Sequence, residues 1–195
     1  MAVSRVKTSS ILQGFPKSRS LLAGNSYYVP SSYESIQTYT VGAGGVSNVT
    51  FSSIPSTYTH LQIRSLVLSS STGSQDMKCQ FNGDTATNYS THYLYGSGAT
   101  AFASASSSIA YLNLGTGGQA ATYPAVAVAD ILDYANTNKY KTTKVLVGSD
   151  ANGSGYIWLN SGSWRSTSAI TSIVLTPFSG TISQYSSFAL YGIKG

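Results

Sequence analysis

From Ser35 to its last residue the chain breaks into short segments of alternating apolar and polar residues, ~8–12 residues apart and separated by Gly- and Asn-rich turns. No other feature constrains the fold as much. A period of two buries one face of a strand and leaves the other outside, whereas a helix needs a period near 3.6. "YTHLQIRSLVLS" (58–69) is the clearest case, with Leu61, Ile63, Ser65 and Val67 on one face and His60, Gln62, Arg64 and Leu66 on the other. "MKCQFN" (77–82), "YSTHYLYG" (89–96), "AVAVADILDY" (125–134), "YKTTKVLVG" (140–148), "YIWLN" (156–160), "AITSIVLTP" (169–177) and "SSFALYGI" (186–193) read as further strands. "SIQTYTV" (35–41) and "VSNVTF" (46–51) flank Gly42-Ala43-Gly44-Gly45 and are expected to form a hairpin. Residues 96–122, rich in Ala, Ser, Gly and Thr, read as one weak strand, "SIAYLNLG", between loops. The only helix candidate, Asp133 to Lys139, is short and rich in Asn. Roughly ten or eleven strands with almost no helical pattern indicate an all-β sandwich or barrel.

Residues 1–33 are different. Gly14, Pro16, Gly24 and Pro30 punctuate this leader too often for regular structure, and its apolar residues form islands: Ile11-Leu12, Phe15, Leu21-Leu22 and Tyr27-Tyr28-Val29. Before Glu34 there are four bases, Arg5, Lys7, Lys17 and Arg19, and no acid; after it, seven bases nearly balance six acids if Glu34 is counted with them. The chain therefore divides into a basic arm over 1–33 and a nearly neutral body over 34–195. A basic arm seeks an acidic protein surface, nucleic acid or anionic lipid. Four charges are sparse for nucleic acid, and no basic aromatic platform follows. An acidic protein surface is the partner expected, with Arg5, Lys7, Lys17 and Arg19 on acidic groups and Ile11, Leu12, Phe15, Leu21 and Leu22 in apolar pockets. The alternative is a free tail. Ordering backbone costs ~1–2 kcal/mol per residue, so an arm held in one conformation must rest on a surface.

Charged residues make up only 9% of the 195 residues, against a usual ~25%. Hydroxyls and amides carry solubility instead, as in extracellular β proteins and in subunits of larger assemblies. The single cysteine, Cys79, excludes an intramolecular disulfide framework and a cysteine-rich metal site, and is expected as a buried apolar residue. No segment reads as a signal peptide, and no run reaches the ~20 apolar residues of a membrane helix, so neither export by the usual route nor a membrane partner is expected.

Catalytic chemistry finds little purchase. His60 and His92 are the only histidines, each inside an expected strand, and no G-x-S-x-G elbow is present. Asp130 and Asp133 are three apart and face opposite sides of a strand, which argues against a carboxylate pair there. "DANGSG" (150–155) has alternating oxygen ligands like a calcium loop but lacks its distal Glu, and Asn-Gly marks a tight turn. "GTGGQ" (115–119) lacks the Lys-Ser/Thr of a phosphate loop and reads as a plain loop. No catalytic residue, metal or cofactor is expected. Aromatics offer more: Tyr89, Tyr93, Tyr95, Trp158 and Trp164 lie in or beside strands, and Tyr and Trp both stack on sugars and populate interfaces. Tyr93, Tyr95, Trp158 and Trp164 are the candidate ligand-binding set.

By "FSSIPSTYTHLQIRS" (51–65), "FNGDTATNYSTHYLYG" (81–96), "DILDYANTNKYKTTK" (130–144) and "QYSSFALYGIKG" (184–195), the chain resembles a group of tailed-bacteriophage virion proteins described as structural or tail-fibre proteins. The similarity runs from about Glu34 to Gly195, and the leader is also similar to leaders in that group. The resemblance implies a virion subunit with a β-sandwich body, in a small symmetric homo-oligomer with a trimer among the states open to it, and partners among capsid or tail subunits. The expectation is an antiparallel, jelly-roll-like β-sandwich with an extended N-terminal arm, non-enzymatic, acting as a decoration, cement or appendage subunit. The alternative is a receptor- or glycan-binding module of a tail fibre.

Overall fold

A computed structural model describes residues 32–195 except 72, 120 and 121, and within strands leaves aside the side chains of 74 and 116–119. Residues 1–31 of the leader, with Arg5, Lys7, Ile11, Leu12, Phe15, Lys17, Arg19, Leu21 and Leu22, lie outside the described residues, and Tyr33, placed in the leader by sequence, already opens the first strand. Twelve strands follow: β1 (Tyr33–Thr40), β2 (Val49–Phe51), β3 (His60–Val67), β4 (Ser74–Phe81), β5 (Tyr89–Ser97), β6 (Thr100–Ile109), β7 (Leu112–Gln119), β8 (Ala125–Leu132), β9 (Lys141–Asp150), β10 (Gly155–Trp164), β11 (Ile173–Pro177) and β12 (Ser187–Ile193).

The strands form two wholly antiparallel sheets, as expected of a β-sandwich. The large sheet has eight strands in the order β1-β12-β3-β8-β9-β10-β5-β6, and the small one four, β2-β11-β4-β7. The core is built from both: Leu61, Ile63, Ile131, Val145, Val147, Phe188 and Leu190 from the large sheet meet Phe51, Phe81, Leu112, Ile173 and Leu175 from the small one. Period-two burial is plain in β9, where Lys141, Thr143, Val145, Val147 and Ser149 point in and the residues between them mostly point out. The small sheet is too narrow to cover the large one. β7 lies over β8, β9 and β10, while β6 beyond them is exposed along nearly its whole length.

Two sequence expectations change. β1 and β2 are not a hairpin: β1 pairs with β12 in the large sheet and β2 with β11 in the small one. The Gly42–Gly45 segment is a crossing between layers, and both partners come from the far end of the chain. Residues 96–122 are not loops around one strand. They contain β6 and β7, and "SIAYLNLG" spans the turn between them. "GTGGQ" lies within β7, where Gly115 (φ +78°) accommodates an irregular register against β4. A Cβ there would lie 3.0 Å from Val147 Cγ2, so its missing side chain also lets β7 approach the large sheet.

"DANGSG" is the β9–β10 hairpin. Asn152 (φ +59°) and Gly153 (φ +88°) take the two left-handed positions of a type I′ turn. The Asp150 carboxylate accepts a hydrogen bond from the Gly153 N–H (3.0 Å), which is turn chemistry. Residues 133–139 form turns, not a helix.

Candidate binding surfaces

The cross-strand register of β10, β5 and β6 aligns Trp158 with Tyr95 and Tyr95 with Phe102 on the inward side of the large sheet. Their rings form a ladder: Trp158 and Tyr95 stack at 4.5 Å and 13°, Tyr95 and Phe102 at 4.8 Å and 16°. Tyr93 leans on Trp158 (5.0 Å) and Tyr156 on Tyr95 (5.9 Å). Directly opposed aromatics on neighbouring strands make such stacks, each contributing ~0.5–1 kcal/mol. The ladder runs from buried to wet, from Trp158 (7% exposed) to Phe102 (43%), because β6 projects past the small sheet. Its open end offers the exposed Phe102 ring beside the half-buried Tyr95 and Tyr93, residue types suited to the apolar faces and hydroxyls of a sugar. The Trp158 Nε1–H is buried with no hydrogen-bond partner among the described residues, as is Ser149 Oγ one strand away.

Three of the four expected ligand residues, Tyr93, Tyr95 and Trp158, are thus brought together. Trp164 is not among them. It occupies the opposite end of β10, 2% exposed, stacked with Tyr89 (6.3 Å, 17°) and edge-on to Phe81 (5.5 Å). Its Nε1–H donates to Asp84 Oδ2 (2.7 Å), so Trp164 is a core residue. Asp84 also accepts from Asn88 Nδ2 (3.0 Å) and the Ala86 N–H (2.9 Å). Burial pulls this carboxyl up, but the three donors outweigh burial and hold it below its ordinary value. Phe102 and Tyr156 complete the ladder without having been singled out. Tyr156 had a signal in the Tyr-Ile-Trp alternation of its strand, whereas Phe102 lay in an Ala/Ser-rich stretch.

The other candidate groups are not part of the ladder. His60 Nδ1 accepts the Asp133 backbone N–H (3.0 Å), so that nitrogen carries no proton for the Asp133 carboxylate 3.5 Å away. His92 is exposed on β5, four strand positions and on the order of 19 Å from His60. Asp130 accepts from Gln62 Nε2 (2.7 Å) and pairs with Lys144 (3.3 Å). Asp133 pairs with Lys139. Cys79 is fully buried, and burial pushes its thiol far above the ordinary range. Nothing in "YKTTK" marks Lys141 as buried. Its buried ammonium donates to the carbonyls of Asn136 (2.6 Å), Lys139 (3.1 Å) and Thr167 (3.2 Å), pinning two loops to β9, and burial pushes its pKa down. Among the described residues no group of three or more His, Cys, Asp or Glu could hold a metal.

The outward face of the large sheet is the second surface. Read across the strands, one row runs Leu66, Val126, Gly148, Ile157, Gly96, Ala101. The next runs Arg64, Val128, Leu146, Leu159, Leu94, Ala103, and a third Gln62, Asp130, Lys144, Ser161, His92, Ala105. Leu66, Leu94, Val126, Val128, Leu146, Ile157 and Leu159 are all exposed. In β8 the larger side chains, Val126 and Val128, point out while Ala125 and Ala129 are buried. An antiparallel sheet facing water is polar on that side; here two adjacent rows are apolar apart from Arg64 at one end, and the third is polar.

No protein-family model, curated protein or solved structure matches this chain.

Proposed function

We propose that the protein is a non-catalytic structural subunit of a bacteriophage virion, anchored to capsid or tail proteins through its N-terminal arm, with the sandwich packed against neighbouring subunits as a decoration, cement or appendage element. The observation that carries the reading is the apolar outer face of the large sheet. Seven exposed aliphatic side chains on adjoining strands form a surface that a free-standing body has no reason to keep. The resemblance to phage virion proteins and the low charge of the body point the same way, as does the separation of His60 and His92 from each other. Leu146→Lys and Leu159→Lys change exposed side chains and leave the sandwich folded. Each is expected to lower incorporation of the full chain into particles at least tenfold. Deleting residues 2–30 is expected to leave a soluble body that no longer joins the particle. Normal incorporation of the lysine variants overturns the assembly role of the outer face, and normal incorporation of the truncation overturns the anchor.

A second reading is favoured by the aromatic ladder: a glycan-binding module in which Phe102, Tyr95 and Tyr93 hold a sugar at the open flank. Glycan-array binding that disappears in Phe102→Ala and Tyr95→Ala supports it. An array on which the wild-type chain binds nothing removes it.

A further inference from the structure

We propose that the outer face of the large sheet docks on the same face of a second copy of this chain. The inference deepens the assembly reading above and rests on it for the statement that this face is covered. What it adds is the occupant.

Three observations select a second copy. The first is shape. Ile157 is the most exposed of the outer-face aliphatics, at 66%, and its cross-strand neighbours on the two sides are Gly148 and Gly96. A knob thus stands between two hollows in one row, and the hollows open into a cleft of about 620 Å³ lined also by Val126, Pro124 and Gly98. In a twofold contact each patch must be complementary to itself. A row carrying both knob and socket meets that condition, because Ile157 of each copy can enter a glycine hollow of the other.

The second is charge. Along the three rows the charged groups are Arg64, Asp130 and Lys144; Asp130 and Lys144 pair within the chain at 3.3 Å, and the Arg64 guanidinium lies over the rings of Tyr33 and Tyr191 at 5.7 and 5.2 Å, while one row further out Asp150 lines the cleft with its carboxylate held by the Gly153 N–H of the hairpin. Within the rows two such faces approach with little like-charge repulsion, with the Asp150 carboxylates at the margin beside the hairpin, and a strongly charged foreign partner would find little to pair with at the centre. The third is area. Six strands by three rows span on the order of 600 Å² per copy at usual strand and residue spacings, so a pair buries about 1,200 Å², the lower bound for a stable interface. Its centre is apolar and one edge is polar, as in other protein interfaces.

The glycines supply the test. A Cβ on Gly148 meets only Val126 Cγ2, at 3.8 Å, and one on Gly96 meets nothing within 4 Å, and neither residue has positive φ. Gly148→Val and Gly96→Val therefore suit the strands and fill the hollows. Light scattering of the purified full chain at about 100 µM, with no other virion protein present, is expected to give the mass of a dimer or larger oligomer. Gly148→Val, Gly96→Val and Ile157→Asp are each expected to weaken association at least tenfold and shift the mass toward the monomer, with unchanged strand circular dichroism. Thr142→Val, outside the three rows, is expected to leave the mass unchanged. A monomeric wild-type chain overturns self-docking, as does an oligomer whose mass none of the three row variants alters. If the wild type is monomeric while Leu146→Lys still blocks incorporation, self-docking falls, the assembly reading stands and the face belongs to another virion protein. If the oligomer is sensitive to the row variants while Leu146→Lys enters particles normally, self-docking stands and the outer-face assembly reading falls.

Discussion

Trp158 and Trp164 lie on the same face of the same strand and serve opposite ends of the sandwich. At Trp164 every requirement of a buried indole is met: Phe81 and Tyr89 pack its ring, and its N–H reaches a carboxylate that two further donors hold in place. At Trp158 the ring is equally well stacked, but its N–H finds no acceptor among the described residues, and the stack runs outward to Phe102 in solvent. The difference traces to the small sheet. β4 turns through Asp84 into β5 beside Trp164 and closes that end, whereas among the described residues nothing as complete covers β5 and β6 beside Trp158. One end spends its aromatics on stability, and the other keeps part of them available for contact.

The largest effect expected from breaking this contrast is at the closed end. Trp164→Ala empties a site with almost no exposure and takes one of three donors from Asp84, at a cost of about 3–5 kcal/mol. For a domain of this size that corresponds to a fall in melting temperature of roughly 6–20 °C by calorimetry. A fall of under 2 °C would show that Trp164 is not the centre of a packed end.

Asp84 comes next. Its carboxyl is held below its ordinary value when folded, so its stabilisation is fully present above the ordinary carboxylate range and is lost as pH falls through the folded value. Asp84→Asn keeps one acceptor oxygen but loses the charge, and is expected to cost about 1–2 kcal/mol at pH 7. Denaturant titrations of wild type and variant should converge as pH drops below about 4. A constant gap between them down to pH 2 would mean that the charge of Asp84 contributes nothing.

Much of this architecture was legible from alternation alone. β3, β5, β9, β10 and β12 lie where their period-two patterns place them, because one buried face fixes which residues can be apolar. β6 was missed for the converse reason. "TAFASASSSI" carries only small Ala side chains on one face and a lone Phe102 among Ser on the other, because the strand is an exposed edge held by the register of β5. The β1–β2 hairpin failed because local spacing cannot see that β12 waits at the other end of the chain. β8 shows a third limit. Val126 and Val128 alternate with Ala125, Ala127 and Ala129, so both faces are apolar and pattern does not say which turns inward. The apolar outer face is not legible in the sequence on that account. Of the ligand candidates, Tyr93, Tyr95 and Trp158 converge because their strands are neighbours, and Trp164 parts from them because it lies at the other end of β10.

The smallest expected effect isolates the contrast most cleanly. Trp158→Phe and Trp164→Phe remove the same atoms from the same strand, both from residues more than nine-tenths buried. The transfer and cavity costs of the two changes therefore largely cancel when they are compared. What remains is the N–H. At Trp164 its loss leaves Asp84 Oδ2 one donor short, and a hydrogen bond to a charged group is worth ~1.5–3 kcal/mol. At Trp158 the lost N–H had no acceptor among the described residues, so its removal relieves a desolvation cost of ~1–3 kcal/mol that partly offsets the void. Trp158→Phe is expected to stay within about 1 kcal/mol of wild type in urea unfolding, with Trp164→Phe at least ~1.5 kcal/mol less stable than it. Equal losses at the two sites would mean that the Trp158 indole has an acceptor after all. The open end would then be as complete as the closed one, and the ladder would belong to the core.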